Sequence, residues 1–501
     1  MTKSAKRRFC PLMQRDLSPA ECGDNRVSRY ACPADCIFNP YGPANYEAAL
    51  ALDDSLNSKA TLYLLEAGPD RAATERELVR LRRHASPHAL HAWVTWRQFF
   101  ARDHGGRTLA ERWEQEGFPG LKNDERVLMK ARMRTKVALV EVRRVIDREQ
   151  VEVVDLLEEA HAPFCIRDRS FAAQAVRFSV FLAWMHRMPH YSRLAGAAIN
   201  IPDVAQLEPQ EVVREIVRHL GGPVDETGIR LWLAEQFVRF DQALAATMLA
   251  RHANMFAAID ATWGRVVYDL RRPFAECRSL LDDQPAVHLD DLREAETHEG
   301  FSEARVWFDE DVEGPAAAGR AVLGRVLLGK THWQLEAMGA ARTAQLRRRF
   351  ESLMGTAVRF ASQRLDDPAA SLKQDEPTYD RSLVPPRLLE DPERVVMRSS
   401  RVPKGLAAPD HEADFQAALL EAEDRRFLDS RIPALDDKTP REAARDPQLR
   451  PKLIRLMKQR VRAHDQRNLK AGRRDDINWL LRELELKELL FDPPPPRPPR
   501  S

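Results

Sequence analysis

Apolar positions change period several times along the chain, and each change marks a different kind of element. Between Ala44 and Leu65, Tyr46, Leu50, Leu56, Leu62 and Leu65 recur at helical spacing. Leu78 and Leu81 continue that period, and Ser86-Pro87 reads as a helix cap followed by proline at the first helical position, ahead of Leu90, Trp93, Val94 and Phe100. Residues 44–133 are therefore expected to be helical. From Thr135 the period falls towards two in a β-branched run through Val137, Leu139, Val142 and Val145. Val151 to Leu157, Phe164 to Ile166, Val176 to Met188 and Leu194 to Ile201 follow as short strand-like segments. Their succession predicts a small antiparallel barrel or curled sheet over 134–205.

Helical spacing returns over 206–260, at Glu208 to Leu220 and again from Ile229 to Phe256. Residues 261–363 mix both periods. Arg265 to Leu270, Ala304 to Phe308, Val322 to Leu328 and His332 to Ala337 read as strands, the last two joined through Gly329-Lys330-Thr331. A helix from Ala340 to Met354, basic through Arg342, Arg347, Arg348 and Arg349, is expected to stop at Gly355. Prolines break residues 364–410 into a linker, 411–490 read as a helical region, and 491–501 form a polyproline tail expected to stay in solvent. The fold class expected is α+β: several units, mainly helical, with a small antiparallel β barrel or sheet, a second mixed α+β unit and a Cys-rich amino-terminal segment over 1–43.

Composition narrows the classes. With 78 Lys+Arg against 76 Asp+Glu the net charge is +2 over 501 residues, which excludes both a polycation that coats nucleic acid and an acidic solvating chain. The longest nearly uncharged run, Phe178 to Met185, is far shorter than the ~20 residues a membrane helix needs. Met1 to Phe9 is basic without an apolar stretch, so the expected compartment is the cytoplasm, where disulfides are disfavoured.

Against that background the cysteines stand out, because Cys10, Cys22, Cys32 and Cys36 fall within the first 36 residues while Cys165 and Cys277 stand alone. Four thiolates satisfy a tetrahedral zinc ion, and such a metal replaces the hydrophobic core that a segment rich in Pro, Gly, Asp and Asn cannot build. The spacing, C-x11-C-x9-C-x3-C, lacks the C-x2-C pairs of common zinc knuckles. Four cysteines would also close the site, which makes the expected zinc structural.

A second local feature is Arg450 to Arg474, where ten Lys or Arg face one acid, Asp465. On a helix, Lys452, Arg455, Lys458 and Arg462 share one side and Leu453, Ile454, Met457 and Val461 the other, so the expectation is a docked helix with a basic outward face, able to contact a nucleic-acid backbone or to pair with acids elsewhere. No aromatic residues interleave with it to stack on bases. His84, His88 and His91 have helical spacing, but Pro87 begins a new helix between them. No Gly-rich phosphate loop, dinucleotide fingerprint, H-E-x-x-H or G-x-S-x-G string occurs. Thr439-Pro440-Arg441-Glu442 is a capping box rather than chemistry.

F-C-P-L-x-x-R-D-L-S-P-A-E-C-G-D-N-R from Phe9, with Y-A-C-P-A-D-C-I-F-N-P from Tyr30, resembles the Cys-rich amino terminus of a group of uncharacterised bacterial proteins. Lys136 to Pro202, Val322 to Arg342 and Pro433 to Pro447 are similar to segments of proteins associated with the SecA-type zinc motif (SEC-C). The resemblance implies no activity, and the chain lacks that motif's tight C-x-C. Two classes follow. One is a zinc-stapled binding or scaffold protein whose partner is a protein or an RNA or DNA backbone. The other is an enzyme with a site between the β-rich and α+β regions, using Glu336, His332 or Asp309 as acids or bases.

Overall fold

A computed structural model describes residues 7–67, 71–84, 87–204, 207–258, 262–309, 320–366, 379–390, 400–401, 421 and 424–497. The chain folds as two compact units. The first comprises Met1–Ala245, Ser382–Leu388 and Pro447–Ser501, the second Ala246–Arg381 and Leu389–Asp446.

The first unit opens on a hairpin, β1 (Arg8–Cys10) and β2 (Arg15–Leu17), whose register pairs Cys10 with Arg15. Ser18 then caps α1 (Pro19–Asn25) by accepting from the Glu21 amide at 3.0 Å, with proline at the first helical position. The expected helical region follows as α2 (Tyr46–Ala67), α3 (Arg71–His84), α4 (Pro87–Phe99), α5 (Leu109–Gln115) and α6 (Asn123–Arg132). Leu56, Trp113, Phe118, Leu128 and Met129 form its shared core, and Tyr41 from the Cys-rich segment is part of the same cluster.

The β-rich region closes on itself. β3 (Lys136–Val145), β4 (Gln150–Asp155), β5 (Phe164–Arg167), β6 (Val180–Arg187) and β7 (Ser192–Ile201) form a barrel in the order β3-β4-β5-β7-β6, closed by β3 against β6. A short helix, α7 (Arg169–Ala172), links β5 to β6. Four pairings are antiparallel, as expected; the fifth, β5 with β7 at Ile166 and Ser192, is parallel. Val140, Val142, Val151, Val153, Ile166 and Phe181 fill the interior. The outer faces of β3 and β6 are covered too: Leu139, Leu182 and Trp184 have no exposed surface. Burial on both faces accounts for the continuous apolar run in β6, where a half-exposed strand would alternate.

Beyond the barrel lie α8 (Pro209–His219), α9 (Glu226–Glu235) and α10 (Phe237–Ala258), the last of which the unit boundary crosses. The long helix expected from Ile229 to Phe256 is thus two, because Gln236 leaves helical geometry at φ −109° and ψ 21°. The break lets Phe237 meet Trp184 edge-on, ring centroids 4.2 Å apart.

The second unit is an antiparallel sheet. Its elements are β8 (Trp263–Leu270), α11 (Phe274–Asp282), β9 (Val287–Asp290), α12 (Glu294–His298), β10 (Phe301–Phe308), β11 (Arg320–Gly329), β12 (His332–Met338), α13 (Ala340–Met354), β13 (Val358–Asp366), β14 (Ser400–Arg401) and α14 (Pro440–Arg445). The strands run β13-β8-β12-β11-β10-β9, with β14 against β11. Val266, Tyr268, Trp333, Leu335 and Val326 pack on Leu346 and Phe350 of α13 and on Cys277 and Leu281 of α11. Gly339 and Gly355, at φ +98° and +50°, bracket α13 where a side chain would be strained. Of the expected linker, the described part forms short turns at Arg381–Leu383 and Pro386–Leu389 and the strand β14.

The chain returns to the first unit with α15 (Arg450–Ala471) and α16 (Asn478–Glu483). The polyproline tail, expected in solvent, packs as far as Arg497. That residue is 7% exposed and donates to the Ala175 carbonyl at 2.8 Å and to that of Ala172. Among the described residues no helix is long and apolar enough to cross a membrane.

Candidate metal centre and the basic helix

Three separate local structures deliver the four amino-terminal cysteines to one place. The hairpin carries Cys10, α1 carries Cys22, and the turns after Tyr30 carry Cys32 and Cys36. All four side chains line one small pocket with Arg8, Phe9, Leu17, Arg26, Tyr30 and Phe38, and no carboxylate lines it. All are free thiols. Burial pushes the Cys32 thiol up; a hydrogen bond from the Val27 backbone opposes this, and the neighbouring Cys36, Cys22 and Cys10 push it up further. Among the described residues no group of three or more His, Cys, Asp or Glu stands as a metal-holding cluster.

Four thiols on one pocket are the donor type that a closed tetrathiolate site would use. Four thiolates around a divalent ion leave a net charge of about −2, and Arg8 and Arg26 both reach the pocket. Val27, at φ +59°, is a β-branched residue in left-handed backbone, an arrangement that persists only where surroundings enforce it. Its amide is the one that meets the Cys32 sulfur, the kind of support that orients a metal ligand.

Outside the pocket the segment is tied to the start of α6. Arg26 Nε donates to Asp124 at 2.9 Å, Asn123 Nδ2 donates to the Gly23 and Arg26 carbonyls at 2.9 and 3.0 Å, and the Tyr41 hydroxyl donates to the Asp124 carbonyl at 2.5 Å. Sequence reasoning found the cysteines but not Val27, Arg26, Asn123 or Asp124. The strain at Val27 has no signature in composition, and the α6 contacts span nearly a hundred residues.

The basic helix forms with the expected start, but its basic side is turned inward. Arg455 pairs with Glu208 at 2.9 Å, Lys458 with Glu141 at 2.8 Å and Arg462 with Asp203 at 2.7 Å; their side chains are 27%, 18% and 9% exposed. Lys452 is half-buried and also has an interaction. The face is not turned outward, and of its two expected uses pairing with acids is the one seen: three of the four named cations pair with acids of this unit. Asp465 of the same helix forms a wholly buried ion pair with Arg177 at 2.7 Å.

The side chains of His84, His88 and His91 lie outside the described residues. Glu336 accepts from Gln334 at 2.9 Å and stands 3.7 Å from Arg265 and Arg325. His332 is four residues away on β12, about 13 Å along the strand, against the Phe301 ring. Asp309 faces Arg349 at 3.7 Å. Each of the three candidate acids and bases is engaged with a different neighbour. No known protein family, curated protein or solved structure matches the chain.

Proposed function

We propose that the chain is a non-catalytic binding protein whose amino terminus is stapled by one structural zinc ion on Cys10, Cys22, Cys32 and Cys36. The observation that carries this reading is the convergence of four thiols from a hairpin, a helix and a run of turns on a single pocket without a carboxylate. A zinc ion there supplies cross-linking rather than reaction chemistry, since four sulfurs leave no coordination position for water. Arg8 lines the same pocket as a counter-charge, Arg26 being paired with Asp124, and the Val27 amide donates to the Cys32 sulfur.

The barrel supplies the recognition surface. Its outer face over β3 and β6 is buried, whereas Gln150, Glu152 and Cys165 on β4 and β5 remain partly exposed. Five-stranded Greek-key barrels of the oligonucleotide- and oligosaccharide-binding type present their second and third strands to ligands in the same way. β4 and β5 hold those positions here. Fold alone assigns no ligand, and the mixed charge of this face, with Arg144 and Glu152 paired at 3.1 Å, suits a polar protein surface better than a polyanion.

Elemental analysis of untagged protein, with thiol titration before and after chelation, tests the staple. The expected result is about one zinc per chain, with about four thiols becoming reactive only when the metal is removed. The double substitution Cys32→Ser, Cys36→Ser is expected to abolish zinc retention. Native protein that carries no metal and titrates all its thiols freely would overturn the reading.

A further inference from the structure

We infer that β13 of the second unit pairs with β13 of a second copy of this chain, joining two sheets across a two-fold axis. β13 ends the strand order β13-β8-β12-β11-β10-β9, and among the described residues only β8 pairs with it. It is nine residues long, and every position from Arg359 to Leu365 is exposed. The opposite end of the sheet, β9, has only four residues. A long edge strand leaves a row of backbone donors and acceptors open to a further strand.

Two large apolar residues of β13 share one face because the strand is irregular. The register against β8 steps from Phe360–Tyr268 to Ser362–Val267, so Ala361 is an extra residue. Without it Phe360 and Leu365 would point to opposite faces. With it both lie on the α13 side. Phe360 stands edge-on to Tyr268 at 6.0 Å with the Arg347 guanidinium 4.4 Å from its ring centroid, and Leu365 is opposite Gly264, where an added Cβ would run into Thr343. Gln363 shares that side and accepts from Arg347 at 2.7 Å. Phe360 and Leu365 nevertheless remain 43% and 47% exposed.

The charges select how a second copy fits. An antiparallel pair about a two-fold axis at Gln363 sets Phe360 against Leu365 of the second copy, Arg359 against its Asp366 and Ser362 against its Arg364. Symmetry makes each of these pairs occur twice. Moving the axis by one position opposes Arg359 to Arg364 in one direction and Arg364 to itself in the other, and like charges directly opposite are destabilising. Arginines and bulges on an edge keep strands apart. Here they reject the neighbouring registers and leave the one in which apolar meets apolar and cation meets anion. Arg359 already pairs across β8 with Asp269 at 2.5 Å, so Asp366 of the second copy continues a row of alternating charge. Within its own chain Asp366 is held by Arg364.

Sedimentation of the full-length protein from about 5 to 200 μM tests the pairing, because an interface built on one strand pair is small and correspondingly weak. The expected result is a monomer–dimer equilibrium. Leu365→Lys and Asp366→Lys are each expected to weaken it about tenfold or more, Arg359→Asp combined with Asp366→Lys to restore it, and Leu289→Lys on β9 to leave it unchanged. Gln363→Cys places a thiol beside its own copy on the axis, so mild oxidation is expected to give a disulfide-linked dimer that the wild type, with its six cysteines, does not give. Circular dichroism melts separate lost pairing from lost folding, and the charge exchange and the cross-link decide the matter where a single variant fails to fold. The inference is independent of the zinc staple. A monomer at every concentration overturns it and leaves the edge to another occupant. A dimer that tolerates Leu365→Lys and Asp366→Lys, that Gln363→Cys does not link, or that grows into open-ended assemblies also overturns it.

Discussion

Arg177 and Asp465 have no exposed side-chain surface, so neither charge has water to fall back on. Arg177 also donates to Asn478 at 2.9 Å and to the Phe491 carbonyl at 2.6 Å, which leaves the guanidinium well satisfied. Removing one partner of such a pair leaves the other uncompensated. Asp465→Asn is therefore expected to destabilise the protein by about 3–5 kcal/mol, measured by chemical denaturation, while exchanging both residues for apolar ones costs much less. Burial pushes the Asp465 carboxyl up, but hydrogen bonds and charge from Arg177 and His464 outweigh it and hold the group below its ordinary value. That contribution is complete above the unfolded carboxylate range and is lost as pH falls through the depressed folded value. His186 acts at milder acidity. It is 1% exposed, neither ring nitrogen has a partner among the described residues, and burial followed by the charges of Arg132 and Arg193 drives its proton affinity well below normal. Below about pH 6.5 the unfolded chain binds a proton there that the folded chain refuses, so stability falls with pH. His186→Phe is expected to flatten the slope just below that value; an unchanged profile would remove His186 as its source.

Among the elements, legibility followed how strongly one physical pattern dominated. The five barrel strands and α13 were readable because β-branched runs and a glycine stop leave few alternatives. β9 is only four residues long, too short for its Val287-His288-Leu289-Asp290 alternation to stand out, and β13 is exposed along most of its length, so both were missed. For α15 the periodicity separates two faces correctly but does not say what covers each. Long Lys and Arg stems pack against neighbours while their heads find acids, and those acids lie more than two hundred residues away in sequence. The candidate site was legible to the same extent: the thiols by their clustering, the strained Val27 and the α6 anchor not at all. The tail was misread for a related reason, since a polyproline segment has no internal bonds and its docking is decided wholly by its partners. Phe491 lies edge-on to Phe178 at 5.9 Å, and its carbonyl accepts from both Arg177 and Asn478. Deleting residues 491–501 strips both donors of that acceptor, and the expected cost is on the order of 2–3 kcal/mol. Faster amide exchange in β6 and α16 reports it; unchanged exchange there would mean that the tail only rests on the surface.

At the scale of the whole chain, the two compact units carry separate cores, and the proposed staple belongs to the first alone. Its influence should travel along the contacts already described. Arg26, Asn123 and Asp124 join the thiol pocket to the start of α6, and Tyr41 joins it to a cluster containing Leu128, Met129, Met188 and Tyr191. Met188 and Tyr191 lie in the turn between β6 and β7. On the proposed staple, removing the metal is expected to relax the backbone around Val27, so that the polar ties to α6 lose their fixed end. Hydrogen exchange after chelation is therefore expected to rise first in residues 8–45, then in α6 and the β6–β7 turn. The sheet β13-β8-β12-β11-β10-β9 and its covering helices should keep their protection, because their core includes no residue of that cluster. Exchange confined to residues 8–45 would show that the staple orders only its own segment. Equal loss in both units would show that their stabilities are not separable, and the metal would then be a folding requirement of the whole chain.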